Sequence, residues 1–133
     1  MKKYYEKGRE IIKTLLDKDY QAYFVGGFVR DYLLGITPNY IDITTNALPE
    51  QVEAMFEKTK ATGKRYGTVS VFKGAHTFEV TTFRAERDYV NHRKPAHIEY
   101  SDNVEEDLIR RDFTINAFAM DYNEKIIYCQ VNL

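Results

Sequence analysis

A single cysteine, Cys129, stands among the 133 residues, which excludes an internal disulfide and any cysteine-rich zinc site and fits a reducing compartment. The three histidines, His76, His92 and His97, show no pairing at metal-ligand spacing with cysteine or with one another, and read as surface residues. No long apolar run is present, and Met1-Lys2-Lys3 leads into Tyr-Tyr-Glu-Lys-Gly-Arg-Glu without the apolar core of a secretion signal. These absences predict a soluble, cytoplasmic chain with no membrane partner. A strong charge of one sign is also lacking: the formal net charge is −1, so any nucleic-acid affinity must come from local patches. Basic residues gather at Lys58 to Arg65, Arg84 to Lys94 and Arg110-Arg111, against an acidic Glu105 to Asp107. The length suits one domain around one core.

The most informative stretch runs from Val25 to Asp42. An apolar run, Ala22 to Val25, ends on Gly26-Gly27, and Phe28, Val29, Tyr32 and Leu33 then recur at helical spacing until Gly35. The pattern predicts strand, glycine turn, helix. Glycines let a backbone approach a ligand, and the N–H groups of a helix start favour anions, so a phosphate is one occupant of such a turn. A tight turn with no ligand is the other reading. Asp42 lies inside a second short apolar run, Ile41 to Thr45, where an acid needs a reason: catalysis or metal binding, or a capping role.

Elsewhere the pattern is scaffold. Residues 2–18 place Tyr5, Ile12, Leu15 and Leu16 on one helical face. Pro49 suits the first turn of a helix whose buried stripe is Val52, Met55 and Phe56. Thr68 to Phe72 and Thr77 to Arg84, joined around Lys73-Gly74, read as a β-hairpin. Alternation puts Phe78, Val80 and Thr82 on one face of its second strand, and Thr77, Glu79, Thr81 and Phe83 on the other. Beside the Asp42 strand, Glu79 would approach Asp42 and help hold a divalent cation; a solvated or ion-paired glutamate is the alternative.

Residues 84–103 lack periodicity and read as a long loop. There Arg84, Arg87, Arg93 and Lys94, interleaved with Tyr89 and His92, would contact phosphates and stack on bases if the loop binds RNA, or would simply be solvated. Asp102 with Glu105 three residues on predicts a capped helix start, running through Leu108 and Ile109 to Arg110-Arg111. Those arginines either serve a ligand or pair with the acidic run before them.

Taken in order, Val25-Gly26-Gly27-Phe28-Val29-Arg30-Asp31, Leu33-Leu34-Gly35, Asp42-Ile43-Thr44-Thr45, Ala47-Leu48-Pro49-Glu50, Thr62-Gly63 with Tyr66-Gly67-Thr68-Val69, Phe78 to Arg84, and Glu106 to Ala117 carry a resemblance. Over roughly residues 5–127 the chain resembles the head domain of bacterial-type CCA-adding enzymes. These are tRNA nucleotidyltransferases of the class shared with bacterial poly(A) polymerases, in the polymerase-β-like superfamily. The Thr62-Gly63 to Val69 stretch resembles the CCA-adding branch more than the poly(A) polymerases. The resemblance implies an α/β (α+β) fold with a mixed, mostly antiparallel sheet flanked by helices. It implies CTP and ATP as nucleotides and a tRNA 3′ end as acceptor, with Mg²⁺ as cofactor. By the same resemblance Gly26, Gly27, Arg30 and Asp31 face the incoming triphosphate. Arg110, Arg111, Asp112 and Asn116 fall on the family motif associated with the nucleotide's ribose and phosphates, and Asp42 and Glu79 serve catalysis and metal.

Two departures from the pattern bear on activity. The family carries Asp-x-Asp, two carboxylates pointing from one strand face to the same ions; here Asp42 is the second and Tyr40 occupies the first position. A phenol with a pKa near 10 offers no carboxylate charge at neutral pH. The resemblance also implies helical neck, body and tail domains, whereas residues 1–133 match the head alone, and Tyr128 stands where the family has Asp. Little or no nucleotide addition is therefore expected. Three readings follow: an impaired enzyme head, a non-catalytic nucleotide- or RNA-binding module, or a folded remnant with no ligand.

Overall fold

The computed structural model describes residues 2–36, 40–61, 63–85, 99–109 and 118–128. Helix α1 (Lys2–Asp17) lies across one face of a sheet through the stripe Gly8, Ile11, Ile12 and Leu15, all buried. Gly8 is what brings it close. A Cβ there would sit 3.0 Å from Phe24 Cε1 and 3.2 Å from Phe78 Cε1, so the two rings fill the space a larger residue would take. The predicted face is thereby rotated. Leu16, expected in the stripe, is 39% exposed, because the contact line follows residues spaced three and four from Gly8.

Seven strands follow among the described residues: β1 (Ala22–Val25), β2 (Ile41–Thr45), β3 (Thr59–Lys60), β4 (Thr68–Lys73), β5 (His76–Thr82), β6 (Phe118–Met120) and β7 (Ile126–Tyr128). Their order is β3-β4-β5-β2-β1-β6-β7. Every neighbouring pair is antiparallel except β2 with β5. This is the mixed, mostly antiparallel sheet that the resemblance implied. The expected hairpin is β4–β5, turning at Gly74 (φ 61°). Its second strand ends at Thr82, short of the predicted Arg84, which makes an isolated bridge to Tyr100.

The remaining helices are α2 (Gly27–Leu34), α3 (Pro49–Met55) and α4 (Val104–Ile109). Helix α2 begins directly from the glycine turn and stops at Gly35, left-handed at φ 72°. Phe28 and Val29 are buried and Tyr32 packs against the same cluster, but Leu33, expected on the same face, is 56% exposed. Pro49 opens α3, and the Leu48 N–H donates to Gln51 Oε1 at 2.8 Å. Helix α4 is capped by Asn103, whose Oδ1 accepts the N–H groups of Glu105 (2.7 Å) and Glu106 (3.3 Å). Asp102, the expected cap, lies one residue too early to reach them.

Side-chain alternation separates two apolar clusters. Ile41, Ile43, Phe78, Val80, Val69 and Val71 pack beneath α1 with Phe28 and Val29 of α2 and Val52 of α3. On the opposite face, Val25, Phe83 and Ala119 are covered by Val104 and Leu108 of α4. Among the described residues that cover reaches only part of the face: in the row that Val25 begins to share with β2, Asp42 and Glu79 are half-buried and Ser70 is buried.

Asp107 ties α4 to the sheet. Fully buried, it accepts the Arg84 N–H on Oδ1 (3.0 Å) and faces the Thr44 hydroxyl from Oδ2 (3.3 Å). Truncation would strand a buried donor. Asp107→Ala is expected to lower the unfolding free energy by about 2–4 kcal/mol, read as a lower urea midpoint. Glu105→Ala, exposed on the same helix, should change it by no more than about 0.5 kcal/mol. Gly26 adopts φ 76°, ψ −151°, a conformation essentially restricted to glycine. Gly26→Ala is expected to cost about 1–3 kcal/mol, measured as a fall in Tm, although its Cβ would meet nothing nearer than Asp42 Oδ2 at 3.6 Å.

Candidate active site

One row of Cα partners crosses the whole sheet: Lys60, Ser70, Glu79, Asp42, Val25, Ala119 and Ile127. Its centre is the parallel pair β2–β5, where Asp42 faces Glu79 in register. Partners in register point to one side of a sheet, so the two carboxylates are neighbours on one face, the arrangement expected if the hairpin lay beside the Asp42 strand. Ser70, next in the row, donates its hydroxyl to Glu79 Oε1 at 2.9 Å. Thr68, Thr81, Thr44 and Tyr23 form the adjacent polar row, with the Thr68 and Thr81 hydroxyls 2.9 Å apart.

Val25 precedes the glycine turn and is Asp42's partner on the other side, so the turn stands beside the carboxylates. Around it three side chains converge. Asp42 Oδ2 lies 3.6 Å from the position a Gly26 Cβ would take. Arg30 Nη2 lies 3.4 Å, and the Tyr40 hydroxyl 3.8 Å, from the corresponding position at Gly27. A Cβ at Gly27 would meet the guanidinium and the phenol at ordinary contact distance. Arg30 also pairs with Asp31, Nε to Oδ1, at 2.9 Å. Asp31 thus balances and orients Arg30 at the surface of α2.

Tyr40 is 58% exposed and also lines a cavity of about 340 Å³ with Tyr4, Ile41, His76, Thr77 and Glu79. Its ring therefore stands between the glycine turn and this cavity. Tyr4 was not singled out by the sequence pattern, yet it fixes the floor of the site. Its hydroxyl donates to the Thr77 carbonyl (2.9 Å) and accepts the Ile41 N–H (3.1 Å), tying the starts of β5 and β2 to α1. Burial raises the Tyr4 pKa most, the Ile41 bond opposes it, and the charges of Asp42 and Glu79 raise it further. His76, expected at the surface, is half-buried and stacks on Tyr4 with ring centroids 4.7 Å apart.

Among the described residues no group of three or more histidine, cysteine, aspartate or glutamate side chains is arranged to hold a metal ion. The predicted basic patch at Lys58 to Arg65 is partly neutralised, since Lys64 pairs with Glu53 at 2.8 Å and approaches Glu50 at 4.0 Å. Arg84 is half-buried and its backbone is held by Asp107 and Tyr100. Arg87, Arg93, Lys94, Arg110, Arg111, Asp112 and Asn116 lie outside the described residues. No helix among the described residues is long and apolar enough to cross a membrane.

This geometry has counterparts among known proteins. Residues 22–131 match the model of the poly A polymerase head domain. The CCA-adding enzyme of Staphylococcus aureus (strain MRSA252) is 46% identical over 125 residues, which is 94% of this chain and 31% of that protein. The crystal structure of the Bacillus stearothermophilus CCA-adding enzyme in complex with CTP superposes with a TM-score of 0.84 at 44% identity, covering 96% of this chain and 30% of that one. A tRNA nucleotidyltransferase complexed with a primer tRNA and an incoming ATP analog gives a TM-score of 0.65 at 28% identity, over 89% of this chain and 34% of that one. The chain thus spans about a third of the length of the relatives it matches. With the family model covering most of its length, the chain belongs to the poly A polymerase head-domain family.

Proposed function

We propose that this chain is the nucleotidyltransferase head of a cytoplasmic CCA-adding enzyme, and that Tyr40 leaves it weakly active or inactive. The observation that carries this reading is the register of Asp42 with Glu79 beside the Gly26-Gly27 turn. The reaction would be attack of a tRNA 3′-hydroxyl on the α-phosphate of CTP or ATP, forming the new phosphodiester and releasing pyrophosphate. Such transfers depend on positioning and on charge placed around the phosphoryl group.

In this reading the backbone of the glycine turn and the Arg30 guanidinium receive the triphosphate, with Asp31 holding Arg30 in place. Arg110, Arg111, Asp112 and Asn116 would contact its ribose and phosphates. Arg84, Arg87, Arg93 and Lys94 would meet RNA phosphates. Asp42 and Glu79 form the acidic centre, into which the acceptor hydroxyl would enter from the side of the Tyr40 cavity.

Nucleotidyltransferases of this family are generally metal-dependent, and the resemblance implies Mg²⁺. The donor set here does not fit a pair of ions. Two carboxylates are present, one of them already accepting Ser70, and the third position is a phenol whose hydroxyl leans over Gly27. A neutral ring occupies the space between turn and cavity. This mismatch favours a second reading, a non-catalytic nucleotide- or RNA-binding module that keeps the turn and the arginines.

Incorporation of radiolabelled CMP into a tRNA lacking its 3′ CCA, with Mg²⁺ present, separates the two. The Tyr40→Asp variant is expected to incorporate at least 100-fold faster than the natural chain, equivalent to about 2.7 kcal/mol of transition-state stabilisation. Equal rates would overturn the role given to Tyr40. An inactive Tyr40→Asp variant, with CTP affinity unchanged by EDTA in both chains, would establish the binding module instead.

A further inference from the structure

Glu124 occupies a left-handed backbone conformation, φ 66°, which a non-glycine side chain rarely adopts without compensation. Strand β7 begins two residues later. Asp121 shapes the turn, accepting the Glu124 N–H on its carbonyl (3.0 Å) and the N–H groups of Asn123 (2.9 Å) and Lys125 (2.8 Å) on Oδ1. That turn aims the Glu124 carboxylate away from its own hairpin and back toward the helices. Oε2 accepts the hydroxyls of Tyr5 on α1 (2.9 Å) and Tyr32 on α2 (2.5 Å). Arg9 of α1 completes the contact, its guanidinium 3.8 Å from the Tyr122 ring centroid and bonded to the Tyr122 carbonyl. The two hydroxyls, Tyr32's first, hold the Glu124 pKa below the usual carboxylate range, and burial with the Glu124 bond raises that of Tyr5. These are hydrogen bonds to an ionised acceptor, stronger than neutral ones.

The second half of α2 is anchored through Tyr32, whose ring packs on Tyr5 and Phe28 with centroids 5.2 and 6.0 Å apart. Only Phe28 and Val29 are buried, both in its first turn, while Leu33 and Leu34 are 56% and 65% exposed. Tyr32 is therefore the hold on its second half. We infer that Glu124 is a positioning residue: by gripping Tyr32 against Tyr5 and Arg9 it sets the angle of α2, and with it the glycine turn from which α2 starts. The inference rests on the reading that this turn receives a nucleotide. Losing the grip leaves the second half of α2 held only by the apolar packing of the Tyr32 ring on Tyr5 and Phe28, which does not fix its angle, so the Gly26-Gly27 amides and Arg30 no longer converge on one ligand geometry.

The test compares Glu124→Ala, Glu124→Gln, Tyr32→Phe and Tyr5→Phe with the natural chain by hydrogen exchange and by calorimetric titration with CTP, well below each Tm. Glu124→Ala and Tyr32→Phe are expected to speed exchange of the α2 amides at least tenfold, with the β4–β5 hairpin amides unchanged, and to weaken CTP binding at least tenfold. Tyr5→Phe, which leaves α2 held, should do less than half of this on a logarithmic scale. Glu124→Gln keeps an acceptor oxygen and should restore CTP affinity to within about threefold of the natural chain. Equal acceleration in α2 and the hairpin, or unchanged α2 exchange in Glu124→Ala, overturns the positioning role. A natural chain that binds no CTP overturns the nucleotide reading, and the α2-to-hairpin exchange ratio then decides for or against the Glu124 grip by itself.

Discussion

The parallel pairing of β2 with β5 is the constraint on which the site depends. Among the described residues it is the one parallel junction in an otherwise antiparallel sheet, and it brings Asp42 and Glu79 side by side although they are far apart in sequence. Two adjacent carboxylates repel, and each is costly to bury. The sheet meets this by leaving their face partly open and giving Glu79 the Ser70 hydroxyl. A one-residue slip in this register would turn Asp42 toward Ile11 and Ile12, because side-chain direction alternates along a strand. Hence the apolar packing of Ile41, Ile43, Phe78 and Val80 under α1 also holds the acidic centre in place.

The two faces of the sheet divide the work. One is sealed by α1, α2 and α3 around the phenylalanine-rich cluster, with Gly8 permitting the close approach of α1. On the other, among the described residues, the cover is α4, held at one end through Val104 and Leu108 and through the buried Asp107. Tyr4 and Glu124 work at the margins. Tyr4 joins α1 to the strand starts beneath the carboxylates, and Glu124 joins α1 to α2 behind the glycine turn. Both helices that border the site are thus fastened by tyrosine hydroxyls reaching across the chain.

Much of this was legible in the residues because it is local. Strand, glycine turn and helix follow from a short pattern, and alternation along β5 placed Glu79 on the Asp42 side. The misreadings share a physical cause. Leu16 and Leu33 fit a helical period, but which residues a helix buries depends on where it touches the sheet, and Gly8 and the short reach of α2 decided that. Asn103 displaced Asp102 as the cap through backbone geometry of one residue's difference. Tyr4, Asp107 and Glu124 carry no pattern of their own. Their partners, Thr77, Thr44, Arg84, Tyr5 and Tyr32, lie between 23 and 119 residues away, so their roles exist only after the chain has folded. The Tyr40 departure was visible against the family pattern, whereas the lean of its hydroxyl over Gly27 was not.

The ends of the sheet are unlike each other. On one side β3 is two residues long, Thr59–Lys60, and its lysine lies in the same row as the carboxylates. A strand so short, carrying a charge, gives an approaching chain almost no ladder to extend. On the other side β7 ends the sheet with Ile126 and Ile127, both only half-buried. Among the described residues, the ladder offered to an added strand is therefore unequal, shorter and charged at β3 and longer and more apolar at β7.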